Sequence, residues 1–247
     1  MSPGERRPWY FAVAERDHDL QNPTSAEKIR LLGQRVRLGA GKHVLDAGSG
    51  RGGPALLLAE EFGCRVTGVE KAEEFYEVAG ERAKARGLES LVEFVLADAR
   101  EFPLEGEAYD VGMCLGASFI WDDLDGTLAA LTPAVRPGGH VCVGEPYWRR
   151  WPLPDGVDDQ GFVSLTETVD RFERTGLAVV TLIDASEDDW DRYVTLSWRA
   201  LEEWLGENDD EEIRRRYERN KQQYLHEERG LLGWAIFVCW KPWRRSR

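Results

Sequence analysis

A short apolar strand that runs directly into a glycine-rich turn and a helix is the feature that most restricts how this chain can fold. Residues 43–53 read HVLDAGSGRGG, and the following PALLLAEEFG has Pro54 in a first helical turn and Gly63 at a helix end. Glycines allow a sharp turn and let a ligand approach the main chain without a Cβ in the way. The N–H groups at the helix start are free to bind an anionic group. The segment therefore predicts a strand, a turn and a helix with a ligand site at the turn.

Strands and helices continue to alternate along the chain. Amphipathic periodicity predicts helices, and apolar runs predict strands. The predicted helices cover residues 24–38, 72–87 and 124–139, and the predicted strands cover residues 64–70, 91–99, 109–117 and 140–148. This alternation is typical of a parallel sheet with helices on both faces. The sequence therefore predicts the α/β class with a doubly wound sheet.

The character of the chain changes at Trp148. The next residues are rich in Pro, Gly and Asp and are predicted to form a loop. Helices are then predicted over residues 164–176, 188–206 and 210–230, and strands over residues 177–185 and 233–242. Residues 1–23 show no clear period, and no internal repeat is visible. We therefore expect one domain over residues 1–247 with an elaborated second half.

The net charge of −13 argues against a nucleic-acid substrate. A protein that binds several phosphates needs a basic stripe, and the short tail KPWRRSR is the only candidate. No apolar run approaches the roughly 18 residues that a membrane span requires, and the N-terminal segment does not resemble a secretory signal. We expect a cytoplasmic protein with neither nucleic-acid nor membrane partners.

The four cysteines, Cys64, Cys114, Cys142 and Cys239, are far apart and form no CxxC pair. Because a zinc site needs clustered thiolates or imidazoles, we predict no metal site. The cysteines are predicted to be small core residues.

Acidic residues follow the apolar runs of the first three core strands. Asp46, two residues before Gly48, can face a cation. Glu70 lies 22 residues after Gly48, where an acid can bind both ribose hydroxyls, and Asp98 can accept a hydrogen bond from the amine of adenine. An adenosyl ligand with a cationic tail needs acids at these three places. The pattern favours S-adenosylmethionine, whose methionyl part carries an ammonium and a sulfonium.

A second interpretation of the same turn is a dinucleotide site. Gly48, Gly50 and Gly53 fit the G-x-G-x-x-G pattern, and Glu70 would serve either ligand. However, Asp46 would repel a pyrophosphate. Three hypotheses therefore stay open. The protein is a methyltransferase, a non-catalytic adenosyl- or nucleotide-binding regulator on the same fold, or, least favoured, a nucleotide-dependent oxidoreductase.

The order of the motifs resembles that of class I S-adenosylmethionine-dependent methyltransferases. The resemblance rests on VLDAGSGRGG, VE, LADA, YDVGMCLGA, RPGG and VCVGEPYW, over roughly residues 40–148. EPYW, DDWDRY and GWAIF are similar to a bacterial subgroup that acts on small molecules. The resemblance implies a seven-stranded sheet in the order 3-2-1-4-5-7-6 with the last strand antiparallel. It also divides the expected domain into an N-terminal cover segment and helix (1–39), a cofactor-binding core (40–148) and an acceptor side (149–247).

The resemblance also implies which residues bind the cofactor. The methionyl part is assigned to Asp46, Gly48, Ser49, Gly50 and Gly52, the ribose to Glu70, the adenine to Asp98 and Ala99, and the flanks of the reacting sulfur to Leu115, Gly116 and Ala117. Lys71 is a departure, because many relatives have an apolar residue there. It leaves room for a 2′-phosphate, although the adjacent Glu70 makes that ligand unattractive.

The acceptor side is less defined, because methyl transfer requires a general base only when the acceptor keeps its proton until attack. Ligands of such sheets lie beyond the carboxyl ends of the strands, which favours Glu145 and Tyr147 after strand five. His18 is a third catalytic candidate, on a segment that can fold over the site. We expect a small-molecule acceptor; its identity, its attacking atom and the oligomeric state do not follow from the sequence.

Overall fold

A seven-stranded sheet forms the centre of the structure, a computed structural model that describes residues 9–243. Its strands are β1 (His43–Ala47), β2 (Arg65–Glu70), β3 (Val92–Leu96), β4 (Tyr109–Leu115), β5 (Val135–Trp148), β6 (Ala178–Asp184) and β7 (Leu232–Trp240). Their order is β3-β2-β1-β4-β5-β7-β6, with β7 antiparallel to both neighbours and the other pairs parallel. The predicted fold class and strand order are confirmed.

Helices cover both faces of the sheet. They are α1 (Tyr10–Ala14), α2 (Ala26–Arg35), α3 (Gly53–Phe62), α4 (Glu73–Ala85), α5 (Leu124–Ala134), α6 (Leu165–Arg174), α7 (Glu187–Glu207) and α8 (Glu211–Gln223). A 3₁₀ turn covers Ser118–Trp121, and a π-helical turn, Tyr224–Glu228, extends α8. Helices α2, α3 and α4 pack on one face and α5 and α6 on the other. Along β7 the side chains alternate between these two cores, as the pleat of a strand requires.

A third apolar cluster joins α1 to the two long helices of the second half. Tyr10 and Val13 of α1 pack against Leu201 of α7 and Tyr217 of α8. The sequence around α1 shows no periodicity, because five residues are too few to show a helical repeat. Isolated helices of this length are not stable in water, so α1 depends on this packing. The cluster fixes the N-terminal segment relative to α7.

The boundary between α5 and β5 differs from the predicted one. The sequence predicted a helix to residue 139, but α5 ends at Ala134 and β5 begins at Val135. Between the pairs Tyr109↔Val135 and Val111↔His140 the register shifts, so the Pro-Gly-Gly segment bulges out of the strand. Gly138 in this bulge has a φ of +81°. Pairing with β4, which a local pattern does not reveal, therefore sets the boundary.

All four cysteines are buried and free, which confirms their prediction as core residues. Between residues 9 and 243, no helix combines the length and apolarity needed to cross a bilayer.

Candidate active site

A cavity of about 740 Å³ opens at the carboxyl ends of the central strands. Residues predicted to bind the cofactor line it, all except Gly52: Asp46, Gly48, Ser49, Gly50, Glu70, Lys71, Asp98, Ala99, Leu115, Gly116 and Ala117. They come from the ends of β1, β2, β3 and β4 or from the turns that follow. Parallel strands bring these ends to one edge of the sheet, which is why residues distant in sequence meet here.

The glycine turn, which the sequence predicted as a sharp turn, has a left-handed backbone at three positions. Gly48, Gly50 and Gly52 have φ values of +70°, +53° and +77°. A Cβ on Gly48 would lie 2.7 Å from the Cβ of Ala117, which also lines the cavity. A Cβ on Gly52 would lie 2.6 Å from Cζ of Phe94, so this glycine permits close packing beneath the turn.

Asp46 is a buried carboxylate with an unsatisfied oxygen. It is 2% exposed, and its Oδ2 has no hydrogen-bond partner in the described part of the chain. Burial, together with the nearby charge of Glu70, raises the pKa of Asp46 to about 7. Ser49 Oγ also lacks a partner there, and Ser49 lines the cavity. Oxygens that can accept hydrogen bonds suit the ammonium of a methionyl group, so the residues fit S-adenosylmethionine.

Glu70 holds the glycine turn in place. Its Oε2 accepts a hydrogen bond from the Gly50 N–H at 2.8 Å, and its Oε1 accepts one from the Ala72 N–H at 2.7 Å. A carboxylate oxygen has two acceptor positions, so each oxygen can accept a further hydrogen bond from a ligand hydroxyl.

Asp98 is flanked by two cations, Arg100 and Lys71, and no pattern in the sequence pairs them with it. Arg100 Nη2 and Lys71 Nζ donate to its Oδ2 at 2.7 and 2.8 Å. The hydrogen bonds from Arg100, and next that from Lys71, hold the pKa of Asp98 well below its usual range. The carboxylate therefore remains ionised. The contact places Lys71 in an ion pair with Asp98, and the adjacent Glu70 is the residue that disfavours a 2′-phosphate.

The three predicted catalytic residues are buried and are not among the residues that line the cavity. Glu145 is 7% exposed, and burial, opposed by a hydrogen bond from Ser118, raises its pKa to about 7. Tyr147 donates its hydroxyl hydrogen to Asp184 Oδ1 at 2.7 Å. Their proposed roles stay predictions.

His18, the third of these residues, is completely buried. Its Nε2 lies 2.8 Å from the backbone oxygen of Tyr193, and burial lowers its pKa. The contact ties the segment after α1 to α7, and His18 likewise stays a predicted catalytic residue.

Several cavity residues from the N-terminal segment and α7 were not assigned a ligand role by the resemblance. Glu15, Gln21 and Asn22 line the cavity, together with Tyr193 of α7. Gln21 Oε1 accepts a hydrogen bond from the Arg51 N–H at 2.5 Å, which fastens the segment to the glycine turn. Residues 1–39 were predicted to cover the site, with His18 as the single candidate side chain among them. No local motif marks Glu15, Gln21 or Asn22, whereas Tyr193 ends the DDWDRY segment of the resemblance.

Comparison with known proteins agrees with this geometry. A family model described as a methyltransferase domain matches residues 44–139. The crystal structure of a SAM-dependent methyltransferase from Thiobacillus denitrificans, in complex with S-adenosyl-L-homocysteine, is 34% identical, with a TM-score of 0.87. The match covers 96% of this chain and 100% of that one.

Two curated proteins extend the comparison. The uncharacterized protein YjhP of Escherichia coli (strain K12) is 31% identical over 242 residues, which is 94% of this chain and 97% of that protein. The 27-O-demethylrifamycin SV methyltransferase of Amycolatopsis mediterranei (strain S699) is 29% identical over 168 residues. That match covers 68% of this chain and 58% of the relative.

Proposed function

Since the chain belongs to the class I S-adenosylmethionine-dependent methyltransferases, we propose that it methylates a small-molecule acceptor by direct in-line transfer. The observation that carries the proposal is the cavity at the carboxyl edge of the sheet, in which Asp46 and Ser49 present oxygens without partners among residues 9–243. A buried polar atom without a partner is costly, so such atoms favour a bound polar group.

We propose the following division of the cofactor among the lining residues. Asp46 and Ser49, with the main chain of the glycine turn, hold the methionyl part, and Glu70 holds the ribose. Asp98 and Ala99 bind the adenine, while the segment 115–117 flanks the sulfur. When bound, S-adenosylmethionine supplies an electrophilic methyl group on a sulfonium. The protein then has to hold the acceptor in line with that group, since orientation alone can account for much of the rate acceleration.

The small-molecule character of the acceptor is supported by charge and enclosure. The chain has a net charge of −13, which opposes binding to nucleic acid. Segments from both halves of the chain contribute to the cavity, with Trp9 and Phe11 from the N-terminal segment and Tyr193 from α7. The name of the Amycolatopsis relative describes the methylation of a small molecule. During transfer, a lone pair of the acceptor forms the bond to the methyl carbon while the electrons of the breaking C–S bond remain on sulfur.

The other two hypotheses, an oxidoreductase and a non-catalytic regulator, have less support. A buried carboxylate at Asp46 disfavours the pyrophosphate of a nicotinamide dinucleotide, so we do not favour an oxidoreductase. A non-catalytic regulator would bind the same adenosyl ligand, and only a turnover assay separates it from an enzyme.

Calorimetry tests the proposal directly. We expect the purified protein to bind S-adenosylhomocysteine but neither NAD nor NADP. Glu70→Ala should weaken this binding by about 1.5–3 kcal/mol, the scale of hydrogen bonds to a charged group. The exposed Glu89 lies outside the cavity, so Glu89→Ala should bind like the parent. Tight dinucleotide binding without any response to S-adenosylhomocysteine would refute the proposal.

A further inference from the structure

Glu15 is an acid in the cavity wall that none of the cofactor assignments uses. It follows α1 directly, is 8% exposed and lines the cavity. Its Oε1 accepts a hydrogen bond from the Tyr193 hydroxyl at 2.8 Å, and its Oε2 accepts one from Gln21 Nε2 at 2.7 Å. Two neutral donors therefore orient the carboxylate and leave an acceptor position on each oxygen.

Within residues 9–243, the charge of Glu15 has no close counter-ion, since no Lys or Arg there lies within ion-pair distance of its carboxylate. Arg51 is its favourable charged neighbour and Glu70 its unfavourable one. A buried charge without a partner is costly, and a cationic or N–H group in the cavity would offset that cost. The observation points to a ligand that carries such a group.

Asn22 supplies a second, independent observation. It is 4% exposed and lines the same cavity. Its Nδ2 donates to the backbone oxygen of Leu115 at 3.2 Å, which leaves its Oδ1 without a partner in residues 9–243. Leu115 ends β4, beside the place where the proposed function puts the reacting sulfur. An unsatisfied acceptor therefore lies next to the expected site of methyl transfer.

These groups differ in origin from the cofactor residues. Asp46, Glu70 and Asp98 all belong to residues 44–139, which match the methyltransferase-domain family. Glu15, Asn22 and Tyr193 come from the segment after α1 and from α7. The aromatic side chains of Trp9, Phe11 and Phe119 also line the cavity, and aromatic faces attract cations.

We propose that Glu15, Asn22 and Tyr193 form the acceptor subsite and that the acceptor presents an amine to the Glu15 carboxylate. The proposal rests on the proposed function, because it takes the cofactor position from it. It assigns Glu15 a role in recognition of the substrate and names the substrate class as amines with an apolar or aromatic body. Tyr193 and Gln21 are positioning residues that hold the carboxylate.

Sinefungin allows a test without knowledge of the acceptor. In this analogue of S-adenosylmethionine, a carbon that carries an amine replaces the methylated sulfur, so a cation lies where the acceptor meets the methyl group. We expect the parent protein to bind sinefungin about tenfold more tightly than S-adenosylhomocysteine, the effect of one hydrogen bond between charged groups. Glu15→Gln should reduce this ratio to near one and leave the affinity for S-adenosylhomocysteine unchanged.

Matched variants separate this effect from general charge and folding effects. Asp17→Asn removes one exposed negative charge two residues away and should keep the parent ratio. Tyr193→Phe keeps the ring but removes the hydroxyl that orients Glu15, so it should give an intermediate ratio. Melting temperatures would show that each variant folds.

The outcomes distinguish the two proposals. If Glu15→Gln lowers the affinity for sinefungin and for S-adenosylhomocysteine equally, Glu15 is a cofactor residue and the acceptor subsite is overturned. A ratio unchanged from the parent would overturn it as well. If the parent protein binds neither ligand, the proposed function itself fails.

Discussion

Burial sets the protonation of the acids at the carboxyl edge of the sheet. Asp46 and Glu145 both have pKa values raised to about 7, with burial as the main cause. Burial also raises the pKa of Glu15. Asp98 shows the opposite effect, because Arg100 and Lys71 stabilise its charged form. The acidic residues at this edge of the sheet therefore titrate in different pH ranges.

Glu145→Gln should change how stability depends on pH. A glutamate carboxyl ordinarily has a pKa of 4.5, and burial raises the pKa of Glu145 to about 7 in the folded protein. Between these values the folded state binds more protons than the unfolded state, so this group's contribution to stability is lost as pH rises through about 7. Glutamine does not titrate. Relative to the parent, the variant should therefore become more stable as pH rises from about 4.5 to about 7.

Melting temperatures of both proteins at a series of pH values across this range would check the sign. A difference in melting temperature that stays constant with pH, or that increasingly favours the parent as pH rises, would contradict a raised pKa at Glu145.

The sequence indicated which acids follow the strands but not their partners. Asp46 and Glu70 follow from motif position, since parallel strands bring their carboxyl ends to one edge. The contact of Lys71 with Asp98 joins residues from two different strand ends. The contact depends on how far the two side chains extend between neighbouring strands, and no spacing in the sequence indicates it.

At the scale of elements, the start of α3 depends on glycine at position 52. Gly52 is the N-cap of α3 with a φ of +77°, and Phe94 of β3 packs beneath it. An alanine would combine an unfavourable backbone with a Cβ 2.6 Å from the Phe94 ring. Gly52→Ala should therefore lower the free energy of unfolding by about 1–3 kcal/mol.

Gly80→Ala is the matched control for this prediction. Gly80 lies within α4, is exposed and has open space around its Cα. Its replacement should be neutral or should stabilise the protein by up to about 1 kcal/mol, because alanine favours helix. Urea denaturation of both variants would measure the difference, and equal stabilities would contradict the packing argument.

Two boundaries show why elements are harder to predict than motifs. Helix α5 ends five residues before its predicted end, because Val135 pairs with Tyr109 of β4 and joins the sheet. Helix α1 was not predicted, because the contacts that stabilise it come from α7 and α8. In both cases a neighbour distant in sequence decides the local structure.

At the scale of the whole molecule, the net charge of −13 gives a prediction about partners. Like charges repel the phosphate backbone, and nonspecific binding to nucleic acid is mostly electrostatic. We expect no binding of double-stranded DNA or of RNA at low ionic strength. Fluorescence anisotropy with labelled oligonucleotides would measure it, and an affinity that falls steeply with added salt would reveal a basic groove and contradict the prediction.

The sequence by itself determined the α/β class, the glycine turn and the acids after the strands, and by resemblance the strand order. These features follow from local periodicity and from motif spacing, which short-range backbone preferences control. The tertiary structure alone decided which residues of the N-terminal segment complete the cavity. Glu15 and Tyr193 form a hydrogen bond although 178 positions separate them. Such a contact exists only after the helices have packed, because the apolar cluster of α1, α7 and α8 brings the two segments together.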